Sequence, residues 1–145
     1  MHILFGTDID STRLTVRRRE HKGVPYKLEE CELSEGINTT FDQIFETLAV
    51  RLPNPLWNFL YKTTGKCYSF TERERVSDEN CLTVRSTIRE YVRKRVSGEA
   101  KSDLDNESDV LSLMLKNTDV FDEEDIIDEL LDFLVAGTMT TQMTT

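Results

Sequence analysis

Small and hydroxyl-bearing residues follow one another at Ala136-Gly137-Thr138-Met139-Thr140-Thr141, directly after Leu130, Leu131, Phe133, Leu134 and Val135. The apolar run predicts a buried helix. A buried next turn made of Ala, Gly and Thr leaves room against the backbone and supplies hydroxyls to whatever fills it. Thr140 stands four residues beyond Ala136, on the same helix face. Its hydroxyl is able to bond the Ala136 carbonyl in place of a ladder amide, bending the helix and opening a groove. Asp132 lies one turn before Ala136 and faces a similar direction, so Asp132 and Phe133 are candidate ligand contacts. A solvated or ion-paired carboxylate is the competing reading of Asp132.

Other chemistry has little to work with. The two histidines, His2 and His21, lack ligand spacing, and no residues are assigned to a metal. Cys31, Cys67 and Cys81 are odd in number and read as reduced intracellular thiols, neither a disulfide frame nor a zinc site. No phosphate loop or Ser-His-Asp set is present, and scarce histidine disfavours most general-base schemes.

With 145 residues, 38% of them apolar, the chain is long enough for one modest domain. The net charge of −9 argues against general nucleic-acid binding. The charge is uneven: residues 102–145 carry 12 acids and one base, Lys116. No apolar stretch has the length a membrane span needs, and the first residues lack the shape of a signal peptide.

The elements that must position the kernel read as follows. Residues 1–10 form the end of a buried element and a loop. Leu14 and Val16, then Val24, Tyr26 and Leu28, alternate around Lys22-Gly23 and predict a β-hairpin within residues 12–33. Arg17-Arg18-Arg19 within it is either a basic patch or a solvated hairpin tip. Ser34 is a candidate N-cap for a helix with Ile37, Phe41, Ile44, Phe45, Leu48 and Leu52 on one face. Pro53-Asn54-Pro55 ends that helix. The apolar cluster Leu56, Trp57, Phe59, Leu60 and Tyr61 follows. A long helix over 70–96 carries the stripe Cys81, Val84, Ile88, Tyr91 and Val92, with a basic flank from Arg85 to Arg95. A polar linker, a short amphipathic helix over 109–116, and an acidic start at residues 122–125 lead into the last helix.

The kernel at 136–141 resembles the central long helix of the cytochrome P-450 family, the haem-thiolate monooxygenases, whose pattern is Ala/Gly-Gly-x-Asp/Glu-Thr-Thr/Ser. Five of the six positions match, and Met139 stands where the family has its acid. Phe5-Gly6-Thr7-Asp8 and the Asp109–Lys116 segment are also similar to family segments, and the helices come in the family's order. The resemblance implies a mainly α fold: residues 1–145 as an incomplete piece of one P-450 domain, with roof helices, a short helix and the first half of the haem-crossing helix. It implies haem contacts at Ala136, Gly137, Thr140 and Thr141. It also implies a catalytic Thr140 that helps deliver protons during oxygen activation.

In family terms the proline break and the cluster at 53–61 join the two roof helices, a segment that microsomal members dip into the membrane surface. A satellite core under a long loop is the alternative. The resemblance further implies a reductase partner, a small organic substrate and an intracellular setting, as at the endoplasmic reticulum membrane. The family's axial cysteine lies in Phe-x-x-Gly-x-Arg-x-Cys-x-Gly, downstream of this helix, and Cys31, Cys67 and Cys81 all precede it. Glu72/Arg75 and Glu90/Arg93 read as surface pairs, not as the family's downstream Glu-x-x-Arg. The fragment is therefore expected to be inactive alone, with Leu130, Phe133 and Leu134 left unburied. The rival reading is a non-enzymatic acidic helical interaction protein or a degenerate remnant.

Overall fold

The computed structural model describes residues 2–6, 8–9, 12–101, 108–117 and 119–144, the side chains of residues 2–3 and 138–144 excepted. The described chain is mainly helical with one two-stranded antiparallel hairpin, the expected fold class. The order is α1 (His2–Phe5), β1 (Arg13–Arg18), β2 (Lys27–Glu32), α2 (Leu33–Arg51), α3 (Pro55–Thr64), α4 (Glu72–Ser97), α5 (Val110–Lys116) and α6 (Glu123–Thr144).

The hairpin forms where alternation predicts it, with Leu14 opposite Cys31 and Val16 opposite Glu29. Gly23 turns the chain at φ 92°, a left-handed conformation that favours glycine. β1 feeds the core most, and β2 adds only the partly buried Cys31. Leu14 and Val16 are buried, whereas β2 carries glutamates and lets Leu28 stand exposed, against the expected alternation. Asn80 of α4 fixes β1 from its side. Its Oδ1 accepts from the Arg17 amide at 2.8 Å and its Nδ2 donates to the Arg17 carbonyl at 2.8 Å.

Helix α2 begins at Leu33 directly from the strand, with Glu32 at its N-cap position and no side-chain cap, so Ser34 does not cap it. Gly36 lets Leu14 approach: a Cβ there would meet the Leu14 side chain at 2.9 Å. Asn54 accepts from the amides of Leu56 and Trp57 and starts α3, with Pro55 in its first turn. Gly65, left-handed at φ 67°, ends it. The cluster at 56–61 is thus a helix with one anchor and not a satellite core: Trp57 is buried, while Leu56, Phe59 and Tyr61 are exposed.

Thr71 and Glu74 form a capping box at the start of α4. The predicted stripe holds at Val84, Ile88 and Val92, but Cys81 is exposed. Asp109 starts α5 by accepting from the Ser112 amide at 2.9 Å, and it also takes Arg95 at 3.0 Å. Both of those side chains are almost wholly buried, so the end of α4 and the start of α5 are locked together.

One core joins these pieces. Phe5, Leu14, Val16, Leu33, Ile37, Val84, Ile88, Leu111, Ile126, Ile127, Leu130 and Leu134 belong to it. Each fully buried aliphatic contributes about 1.5–3 kcal/mol relative to exposure. Leu130 and Leu134, expected to lie unburied in this piece, are 0% and 4% exposed, because α4 and α5 cover that face of α6; Phe133 does stand exposed, at 45%.

The Glu-x-x-Arg matches are not ion pairs. Arg93 reaches Glu123 of α6 at 2.9 Å, and Glu90 binds Lys94 at 2.8 Å. Arg85 and Arg89 also clasp Glu124 of α6. The basic flank of α4 therefore holds α6 in place through three arginines.

Candidate functional site

Helix α6 presents three sides. Ile126, Ile127, Leu130 and Leu134 face the core. Asp128, Leu131, Asp132 and Val135 face a cleft of about 550 Å³ whose other walls are α2 (Ile37, Thr40, Phe41, Ile44, Phe45, Leu48) and α4 (Cys81, Val84, Arg85). Ala136 and Gly137 lie on the third, exposed side. The cleft size falls within the range of small-molecule sites, and its lining is mostly apolar.

The sequence-predicted residues fall as follows. Asp132 lines the cleft from α6, with no ion-pair partner among the described residues. Phe133 is exposed and is not part of the cleft wall. Asp128 does not stay open to a ligand, because Arg85 holds it. The side chains of Thr140 and Thr141 lie outside the described residues; the backbone of α6 continues helical through both.

Gly137 gives a test of fit for a haem. A Cβ built there would meet nothing within 4 Å. With Ala136 beside it, this turn of α6 offers an exposed small-residue surface with open space against it, which leaves room for a flat macrocycle and holds none by itself. The described residues do not supply a thiolate beside it. Cys31 is on β2, Cys67 lies between α3 and α4, and Cys81 is on α4 across the cleft. Desolvation, then the Asp78 carboxylate, pushes the Cys81 thiol up, and burial with Glu35 and Glu29 does the same to Cys31. Both are poor thiolates. Among the described residues no group of three His, Cys, Asp or Glu could hold a metal ion, and no helix is long and apolar enough to cross a membrane.

Sequence reasoning missed the polar network under the cleft's far end. Arg51, 7% exposed at the end of α2, donates to Glu74 at 3.2 Å and to both oxygens of Asp78 at 3.1 and 2.7 Å. Ser69 bonds Asp78, and the guanidinium sits 5.8 Å from the Trp57 ring centroid. This knot fixes the α3 segment between the two long helices α2 and α4. The Thr71-x-x-Glu74 spacing was its one legible trace.

No family model matches the chain, and no solved structure matches it significantly. Over 108 residues it is 27% identical to cytochrome P450 monooxygenase sphH of Aspergillus fumigatus (strain CBS 144.89 / FGSC A1163 / CEA10), a likeness covering 73% of this chain and 20% of that relative. The chain therefore spans about a fifth of the curated relative it matches, and the likeness amounts to a partial relationship with a cytochrome P-450.

Proposed function

We propose that this chain is the distal-side and substrate-roof part of a haem-dependent monooxygenase. Such an enzyme inserts one oxygen atom from O2 into an organic substrate, with electrons from a reductase. The observation that carries the reading is the small-residue surface at Ala136 and Gly137, on the same helix that walls a mostly apolar cleft. A haem, when bound, would supply the oxygen chemistry, and its cysteine ligand would have to come from outside these 145 residues.

The chain's own residues bind, orient and protonate. Phe41, Ile44, Leu48, Leu131 and Val135 give the cleft dry walls that exclude water from an apolar substrate. Asp132 places one carboxylate among them. Ala136 and Gly137 keep the backbone of α6 accessible. Thr140 holds or passes a proton at its hydroxyl oxygen. Met139 cannot share that duty, since a thioether carries no proton, so proton supply runs through Thr140 and water. In the whole protein, α3 with its exposed Leu56 and Phe59 touches the membrane surface.

The rival reading, an acidic helix docking on a basic partner, loses much of its support. Glu123, Glu124 and Asp128 of α6 are already ion-paired with α4.

Thr140→Ala in the complete protein tests the proton role. General acid–base groups contribute about 10²–10⁴-fold, and water bypasses part of that loss here. The expected result is oxygen consumption that continues while product falls and peroxide appears. Unchanged coupling between oxygen use and product would remove Thr140 from the mechanism.

A further inference from the structure

We propose that the cleft between α2, α4 and α6 selects an apolar molecule carrying one positive charge, and that Asp132 reads the charge. The inference rests on the cleft being a substrate site, and it names the class of substrate taken there.

The fold itself uses up most of the polar groups around the cleft. The α2 wall carries no charged residue. Its one hydroxyl, on Thr40, is buried and donates to the Gly36 carbonyl at 2.7 Å. On α4, Arg85 gives its guanidinium to Asp128 and, at 2.8 Å, to Glu124. The Cys81 thiol is only a weak donor. Asp132 is what remains. It lines the cleft, is exposed, and has no ion-pair or hydrogen-bond partner among the described residues.

Helix α6 leaves it so for a local reason. Partners along a helix come from positions three or four residues away. For Asp132 these are Asp128, Glu129, Val135 and Ala136, two acids and no base. Like charges at this spacing repel, and α6 holds no lysine or arginine anywhere along its length. Arg85 lines the cleft but is already matched by two carboxylates. The charge left over in the lining is therefore negative.

That pattern sorts ligands by charge. A cation at Asp132 gains an opposite charge and relieves the repulsion from Asp128. An anion meets Asp132 and finds Arg85 occupied. A neutral polar molecule would turn its polar groups against Phe41, Ile44 and Leu48, where the wall has no free donor or acceptor. The apolar body fills the dry walls and supplies most of the affinity. The charge supplies the choice. Because Asp132 is exposed, the pair contributes as exposed pairs do, modestly and in a salt-dependent way.

The full 145-residue chain is titrated calorimetrically with three octyl probes: octyltrimethylammonium, octanol and octanesulfonate. The cation is expected to bind about fivefold more tightly than the alcohol, the upper end for an exposed pair. The sulfonate should bind most weakly, and the preference should shrink at about 1 M salt. Asp132→Asn should abolish the preference and leave octanol binding as it is. Glu129→Gln removes the same charge from an exposed acid of α6 outside the cleft wall, and should keep the preference. Phe45→Ser/Leu48→Ser, at exposed positions of the α2 wall, should weaken all three probes.

If Asp132→Asn keeps the preference, or Glu129→Gln loses it equally, Asp132 does not read the charge. Octanol binding that still needs Phe45 and Leu48 would then leave the cleft as a site for neutral apolar molecules. If no probe binds, or binding ignores Phe45 and Leu48, the cleft is not a substrate site and both readings fall. Haem takes no part in these titrations, so their outcome is separate from that of the Thr140 variant.

Discussion

Gly137→Phe, introduced into the complete protein, is expected to empty it of haem while α6 remains helical. A Cβ at this position meets nothing within 4 Å in the described fold, so the new side chain has room where it leaves the backbone. Replacing a mid-helix glycine by phenylalanine even favours the helix, by roughly a few tenths of a kcal/mol. A macrocycle lying on Ala136 and Gly137 would instead collide with the ring. Overpacking costs about 1–3 kcal/mol, which is roughly 10–100-fold in affinity. The check is the ratio of haem absorbance to protein, alongside far-ultraviolet dichroism. Full haem content with intact helicity would show that this turn of α6 does not face the haem.

Arg51→Ala is expected to carry a large stability effect. Arg51 and Glu74 have side-chain exposures of 8% and 5%, so deleting the guanidinium strands a buried carboxylate. Removing one partner of such a pair costs about 3–5 kcal/mol, and at this chain length each kcal/mol moves the melting midpoint by roughly 2–4 °C. Lys94→Ala, on an exposed i,i+4 pair, should leave the midpoint unchanged within error.

The same network sets a pH dependence. Burial alone would push the Glu74 carboxyl up. The amides of Thr71 and Phe70, the Thr71 hydroxyl and Arg51 outweigh it and hold the group below its ordinary value of 4.5. A depressed folded pKa means stability that is present above the ordinary value and is lost as the pH falls through the folded one. Glu74→Gln should therefore flatten the acid limb of the stability profile. A midpoint for Arg51→Ala within a degree or two of the parent would show that the network is dispensable.

Much of this architecture was legible because its signals are local. The spacing of Val84, Ile88 and Val92, the break at Pro53 and Pro55, and the turn at Gly23 each fix an element from within a few residues. Helix starts were less legible. Ser34 has the chemistry of an N-cap, but β2 runs straight into α2 and leaves it no such place.

Burial of α6 was misjudged at Leu130 and Leu134, since periodicity says which face is apolar and not what covers it. The partners of Arg51 and Arg95 lie 14 to 27 residues away, beyond the reach of any local pattern. For the candidate site, the small-residue turn was legible as composition. The cleft was not, because it needs α2, α4 and α6 brought together by the core.

The most direct measurement for the central claim is to read the transcript past the codon for Thr145. The account predicts an open frame that continues into a Glu-x-x-Arg helix and a Phe-x-x-Gly-x-Arg-x-Cys-x-Gly loop. Those segments would supply the thiolate that Cys31, Cys67 and Cys81 do not. A stop codon directly after Thr145 would contradict it: no axial ligand would follow, and Thr140 would have no oxygen chemistry to serve.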